Sequence, residues 1–356
     1  MKKIILSLLL LCVLLFVRAQ SPTVGSARVS FRSCEPTFAT LDIALLPGEM
    51  WQGYSFKKSG AYVRCLTNQR GCDSLVTLNV ELMEGALPGK FSVDDKGTQV
   101  YFSKGNLQFL ATKNGVWGDT THIVKGNEEK NGVWRFAQHQ YDMFGGGGKN
   151  CTSAQSSIAT DWVDYFGFGA GGNIVEPYLT SSNNSDYINV DIANTDNDWG
   201  VYNAIENGGN TPNKWRLLTS EEWTYIYSNR PRAANLYGFA LIGDIQGLIL
   251  LPDDWLPIEG IEFSPGVAWY TQNIYSFEQW NIMENAGAVF LPAAGSRDAG
   301  LGGRYWSSTI SSTANQAYVF RWNHTTSGNS NAIEWKGIMS FAVYAGYCVR
   351  LVKTVK

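Results

Sequence analysis

Apolar and polar residues alternate strictly along residues 75–82, LVTLNVEL, with Val76, Leu78, Val80 and Leu82 on one face and Thr77, Asn79 and Glu81 on the other. A period of two predicts a half-buried strand. It follows the turn residues Gly71, Cys72 and Asp73, and Ser59-Gly60-Ala61-Tyr62 marks an earlier turn into a second extended run. Strands and turns dominate this region, which predicts a small all-β module. Residues 83–90, MEGALPGK, carry Gly85, Pro88 and Gly89 and read as a linker; no break of comparable length follows. The rest is expected to be one large domain.

Within it, residues 98–102 and 107–110 are short extended runs around Ser103-Lys104-Gly105-Asn106, a pattern that predicts a hairpin. Two helices are marked by their starts. Thr219 with Glu222 three places on is a capping box, followed by Trp223, Ile226 and Tyr227 at helical spacing until Pro231. Ser276 with Gln279 repeats the device ahead of Phe277, Trp280 and Met283, with Gly287 as the stop. Short β-rich runs at 248–251, 288–291, 306–309, 317–322 and 347–352 are separated by Gly, Ser and Asn clusters. Few helices, many short strands and long polar loops predict an α+β domain. Trp215, Trp223 and Trp306 are expected in its core.

The N-terminus changes the picture. Residues 4–17, IILSLLLLCVLLFV, form an apolar run behind Lys2 and Lys3, too short to span a bilayer, and small Ala19 follows. This predicts a signal peptide over 1–19, cleaved near Ala19, then a β spacer at 20–85 and the large domain at 86–356. No other stretch reads as a transmembrane helix, so a secreted or cell-surface protein, not an integral membrane protein, is expected. The mature chain carries a net charge of about −6. Without a basic surplus, nucleic acid is not an expected partner. Five cysteines remain after cleavage: Cys34, Cys65, Cys72, Cys151 and Cys348. A core in some 65 residues is marginal, and a Cys34–Cys72 bridge would stabilise it by about 4 kcal/mol.

Chemistry-bearing motifs are few. The histidines are His122, His139 and His324, and HExxH, GxSxG and CxxC are absent. Glu221-Glu222 and Asp253-Asp254 read as solvated caps and turns. Residues 167–172 satisfy GxGxxG, but Pro177 interrupts the helix that a phosphate loop requires. Asn194, Asp196 and Asp198 place three oxygen side chains near one turn, as a hard cation would require. An EF-hand would have glycine where Trp199 stands and glutamate where Ile205 stands, so hydrated turn carboxylates are the ordinary reading. No cofactor or metal, and no enzyme activity, is expected.

Two resemblances sharpen this. Cys34-Glu35, Ser59-Gly60-Ala61-Tyr62 and the string GCDSLVTL at 71–78 resemble a short β repeat of secreted bacterial surface proteins, which implies a display module. WRLLTSEEW at 215–223, LPAAG at 291–295, YWSST at 305–309 and terminal VRLV at 349–352 resemble the secreted bacterial major-paralogous domains. That group is a branch of the C-type-lectin-like fold related to the formylglycine-generating sulfatase-modifying enzymes. Those relatives use a close cysteine pair near the chain end; here only Cys348 lies there, so the oxidase activity does not carry over. The Glu-Pro-Asn and Trp-Asn-Asp calcium strings of sugar-binding lectins are also absent.

In lectin-like folds the ligand surface is built from long loops near the chain's end, here 304–347. Along 317–323, Tyr318, Phe320 and Trp322 share one face and Val319, Arg321 and Asn323 the other, so one row is expected in the core and the other exposed. The polar loop His324 to Asn331 follows, flanked by Trp335 and Tyr344. Arg304, Arg321, Trp322, Asn323, His324, Asn329, Asn331, Trp335 and Tyr344 are the expected ligand-binding residues, since Arg, Trp and Tyr most often anchor interfaces. The resemblance leaves open that retroelements diversify this loop. The expected function is non-catalytic binding or adhesion to an extracellular protein or glycan. Its rivals are an enzyme of the formylglycine-generating kind and a purely structural surface component.

Overall fold

The computed structural model describes residues 37–69, 71–110, 133–143, 163–171, 188–266, 272–295, 302–323 and 335–355; of Leu110, Asn323, Trp335 and Lys336 it describes the backbone alone. The expected signal segment and Cys34 lie outside these residues, as do Cys151, His122, His324, Asn329 and Asn331. The chain divides into two compact units, Met1–Leu41 with Val63–Thr77 and Asp42–Tyr62 with Leu78–Lys356. The described residues form a mixed, strand-rich α+β structure.

The first strands are β1 (Thr37–Leu45), the pair β2 (Met50–Trp51) and β3 (Tyr54–Ser55), β4 (Gly60–Thr67) and β5 (Asp73–Leu82). The sheet order is β1-β5-β4, and the unit boundary crosses all three strands. Strand β5 buries Val76, Leu78, Val80 and Leu82, the row that the alternation assigned to one face. Cys72 just before it is buried and disulfide-bonded.

The expected linker instead contains a strand. Ala86–Ser92 is β6, which pairs with β7 (Gln99–Ser103), and β7 pairs in turn with β17 (Val352–Thr354) far along the chain. Leu87, Gly89 and Phe91 alternate inward along β6, and Gly89 is required because its backbone packs directly against that of Gly287. The expected hairpin is also replaced. β7 and β8 (Leu107–Leu110) flank the predicted turn, yet β8 pairs with β9 (Val133–Phe136). The cause is the terminal segment: Ser103 N–H bonds Leu351 O at 2.9 Å and Leu107 N–H bonds Val349 O at 2.9 Å, so residues 349–351 satisfy the backbone that a hairpin would have paired.

The short helix α1 (Trp199–Tyr202) precedes α2 (Ser220–Thr224), which continues as a wider turn through Tyr225–Asn229 and stops before Pro231. Both predicted capping boxes are formed, Thr219 with Glu222 on α2 and Ser276 with Gln279 on α3 (Phe277–Asn285). α3 covers part of a four-stranded sheet of order β12-β10-β11-β13, made of β10 (Tyr237–Ile242), β11 (Ile245–Leu250), β12 (Ile274–Tyr275) and β13 (Val289–Pro292). Trp280 and Met283 fill the space between them together with Ile242, Ile249 and Phe290.

The last sheet is an antiparallel meander of β14 (Gly303–Ile310), β15 (Gln316–Asn323) and β16 (Trp335–Ala342). Its two faces belong to two different cores. On one lie Trp306, Ala317 and Val319 with Trp199, Trp215, Val349 and Leu351; on the other lie Tyr305, Phe320 and Trp322 with Trp223 and Ile226 of the α2 segment. Trp223 stacks on Phe320 with ring centroids 4.7 Å apart. The expectation of one buried and one exposed row is therefore corrected: β15 is a central strand covered on both sides at its middle. Trp215, Trp223 and Trp306 are all core residues, as expected.

Candidate ligand-binding face

The strand register determines which expected site residues meet. Arg304, Arg321 and Gly337 stand on one rung across β14, β15 and β16, on the face that also carries Trp306, Val319 and Ala317. Directly opposed residues in adjacent strands share a face with Cβ atoms some 5 Å apart, so the two arginines are neighbours. Farther along β16 that face continues with Met339 opposite Val319 and Phe341 opposite Ala317. The Arg304 guanidinium lies 5.8 Å from the Phe341 ring centroid and 5.7 Å from that of Tyr347; Arg321 lies 5.5 Å from Phe341. Nη1 of Arg321 also donates to Met339 Sδ at 3.4 Å.

Two like charges on one rung repel, and half-burial removes part of their hydration. Burial first and the Arg304 charge second hold the Arg321 pKa below its ordinary value. The aromatic rings offset part of this, since their negative faces attract guanidinium groups by about 0.5 to 2 kcal/mol each. Gly337, opposite Arg321, adds no side chain to the rung. The face thus grades from the buried Trp306 and Val319 to half-buried arginines and to Met339, which is exposed. Tyr344 is exposed on the turn after β16.

Trp322, an expected ligand contact, is fully buried on the opposite face, stacked on Tyr305 with centroids 5.4 Å apart. It packs over Gly303, its cross-strand partner, where a Cβ would fall within the indole ring. Trp322 is a core residue and offers no surface to a ligand. Asn323 and Trp335 pair at the open end of β15 and β16. The expected contacts His324, Asn329 and Asn331 lie outside the described residues.

Asn194, Asp196 and Asp198 do not converge. Asn194 and Asp196 are exposed, while Asp198 is fully buried as the N-cap of α1, its Oδ1 accepting from Gly200 N–H at 3.1 Å and its Oδ2 from Leu217 N–H at 2.9 Å. Both oxygens are occupied by backbone donors, so Asp198 is not the hydrated turn carboxylate expected and presents no oxygen beside Asn194 and Asp196; among the described residues no cluster of three or more His, Cys, Asp or Glu could hold a metal. Glu222 is a helix cap, as expected, but it and Asp253 are also paired with arginines rather than only solvated. Glu222 holds Arg216 through two 2.7 Å bonds, and Asp253 pairs at 3.0 Å with Arg230, whose burial draws its pKa down to about 10.

Sequence reasoning missed Phe341, Met339 and Tyr347 as the platform beneath the arginines. The signal was available only as a register, since Phe341 faces Ala317 in the ladder and not in the sequence. It also missed a polar network in the core. Arg350, fully buried, donates to Asn106 Oδ1 at 3.3 Å and to Gln140 Oε1; Gln140 Nε2 donates to Glu284 at 2.9 Å. Tyr305 O–H donates to Pro292 O at 3.1 Å and accepts from Asn106. Burial holds the Tyr305 pKa well above its ordinary value and draws Arg350 down to about 10. These groups join the segment before β8, the end of α3 and the terminal segment inside the core.

No family model, curated protein or solved structure matches the chain. Among the described residues no helix is long and apolar enough to cross a membrane.

Proposed function

We propose that this chain is an exported, non-catalytic binding or adhesion protein. A small β module, closed by a Cys34–Cys72 bridge, displays a C-type-lectin-like domain, and the Arg304–Arg321 face contacts an extracellular protein or glycan. The observation that carries this reading is the pair of arginines in register on adjacent strands, half-buried and backed by Phe341 and Tyr347 beside the exposed Met339. Arginine and aromatic side chains on a rigid sheet supply hydrogen-bond donors and apolar area at little entropic cost, which is what an interface anchor requires. The capping box inside WRLLTSEEW and the pairing of VRLV with the backbone of Ser103 and Leu107 support the lectin-like part of the proposal.

The full chain probed on protein and glycan arrays is the test, with Arg304→Ala and Arg321→Ala compared singly and together. A ligand found on the array should lose about tenfold or more in affinity with each arginine removed, a difference of at least ~1.4 kcal/mol. Thermal unfolding of the same variants checks that the sheet stays folded. Ligand binding that survives the double substitution in a folded protein would sink this assignment of the face.

A further inference from the structure

A second concave surface, away from the arginines, has the lining of a ligand site. A cavity of about 460 Å³ opens among Trp134, Tyr202, Asn203, Glu206, Asn210 and Pro212. That volume lies within the range of small-molecule sites. Its lining is mixed: half-buried Tyr202 and exposed Pro212 supply apolar faces, exposed Asn210 supplies an amide donor and acceptor, and exposed Glu206 supplies two further acceptors, while Trp134 and Asn203 are buried at its floor. Among the described residues Glu206 is the only charged one of the lining. A phosphate or carboxylate ligand would be repelled by it, and a hard cation would need several more oxygen ligands of this kind. A neutral saccharide requires what is present, namely a ring face for its C–H groups and an amide and a carboxylate for its hydroxyls.

The walls are also held in place before any ligand arrives. Asn207 brackets Phe136, accepting from its N–H at 2.7 Å and donating to its carbonyl at 2.9 Å, which fastens the 206–210 rim to β9. Trp215 Nε1 donates to Gly208 O at 2.8 Å, and Trp134 bridges Ile205. Asn203 Nδ2 donates to Gly171 O at 2.7 Å and Trp199 O at 3.1 Å, fixing the orientation of its amide. Trp134 is backed by Phe109 and Phe166, with centroids 4.5 and 5.4 Å away. A preformed site loses little entropy on binding, and that matters most for sugars, whose hydroxyls exchange one set of hydrogen bonds for another.

We infer that this cleft binds a neutral saccharide, with Tyr202 and Pro212 against the sugar ring and Glu206 and Asn210 on its hydroxyls. The inference stands independently of the arginine face. Saturation-transfer NMR on the full chain, with a panel of neutral mono- and disaccharides at concentrations on the order of 10 mM, tests it. At least one sugar should receive magnetisation and titrate, and its affinity should fall about tenfold or more in Tyr202→Ala with Asn210→Ala, and in Glu206→Ala, whose side chain is exposed. Arg304→Ala with Arg321→Ala should leave that affinity unchanged. Failure of every sugar in the panel to bind, or binding that persists at full strength in all the cleft variants, would overturn the inference.

Discussion

At Asp198 two opposing effects meet. Removal from water disfavours its charge, while N–H groups of Leu217 and Gly200 favour it; burial is the larger, and the carboxyl is pushed up to about 7. Its unfolded value is about 3.9. Between these values the folded protein holds a proton that the unfolded chain releases, so the contribution of Asp198 to stability is present below about pH 4 and is lost as pH rises through 7. Asp198→Asn removes this dependence while facing an amide N–H₂ toward backbone N–H groups, which costs about 1 to 3 kcal/mol. Urea unfolding of both proteins from pH 4.5 to 7.5 should show the advantage of the natural residue shrinking as pH rises. A constant or growing difference would contradict the assignment. The sequence showed Asp198 only as one of three spaced oxygens near a turn; that it is buried, and against which backbone, depends on Leu217 19 residues away.

Among elements, α2 is the one whose cause is most local. Its capping box needs only Thr219 and Glu222, and the same Glu222 also holds Arg216, so one side chain closes the helix start and ties it to the strand-like segment before it. Thr219→Ala should cost about 1 kcal/mol, read from denaturant midpoints, and Ser276→Ala a similar amount on α3. No loss at either site would mean that tertiary packing alone holds these helices. Both boxes were legible in the sequence because their partners are three residues apart. The partners of β7 and β8 were not, because they are chosen by the terminal segment some 250 residues away, and a turn of good composition between two extended runs looks the same whether or not the runs pair. The arginine face was half legible for the same reason. Alternation assigned Arg321 and Val319 to one side of β15, but only the register shows that Arg304 joins them and that Trp322, on the other side, belongs to a second core.

For the molecule as a whole, the strand-rich α+β class followed from many short runs and two helix starts. The position of the small module's edge did not, since the expected linker forms β6. β17 lies against β7, Val352 is fully buried, and Lys353 pairs with Glu81 at 3.1 Å beside Lys214, which pairs with the same carboxylate. Deleting residues 352–356 should therefore abolish the cooperative thermal transition and make the remaining chain rapidly cleavable by trypsin. A truncated protein that melts cooperatively at the original temperature would show that this closure is dispensable.

That same pairing of distant segments sets an order of events during synthesis. While the ribosome is still making residues 104–351, the edge of β7 has no mate and the segment that organises β8 does not yet exist. Contacts this remote in sequence form slowly and late. A nascent chain built this way stays unconsolidated for most of its translation and closes its core only once its last residues have been made.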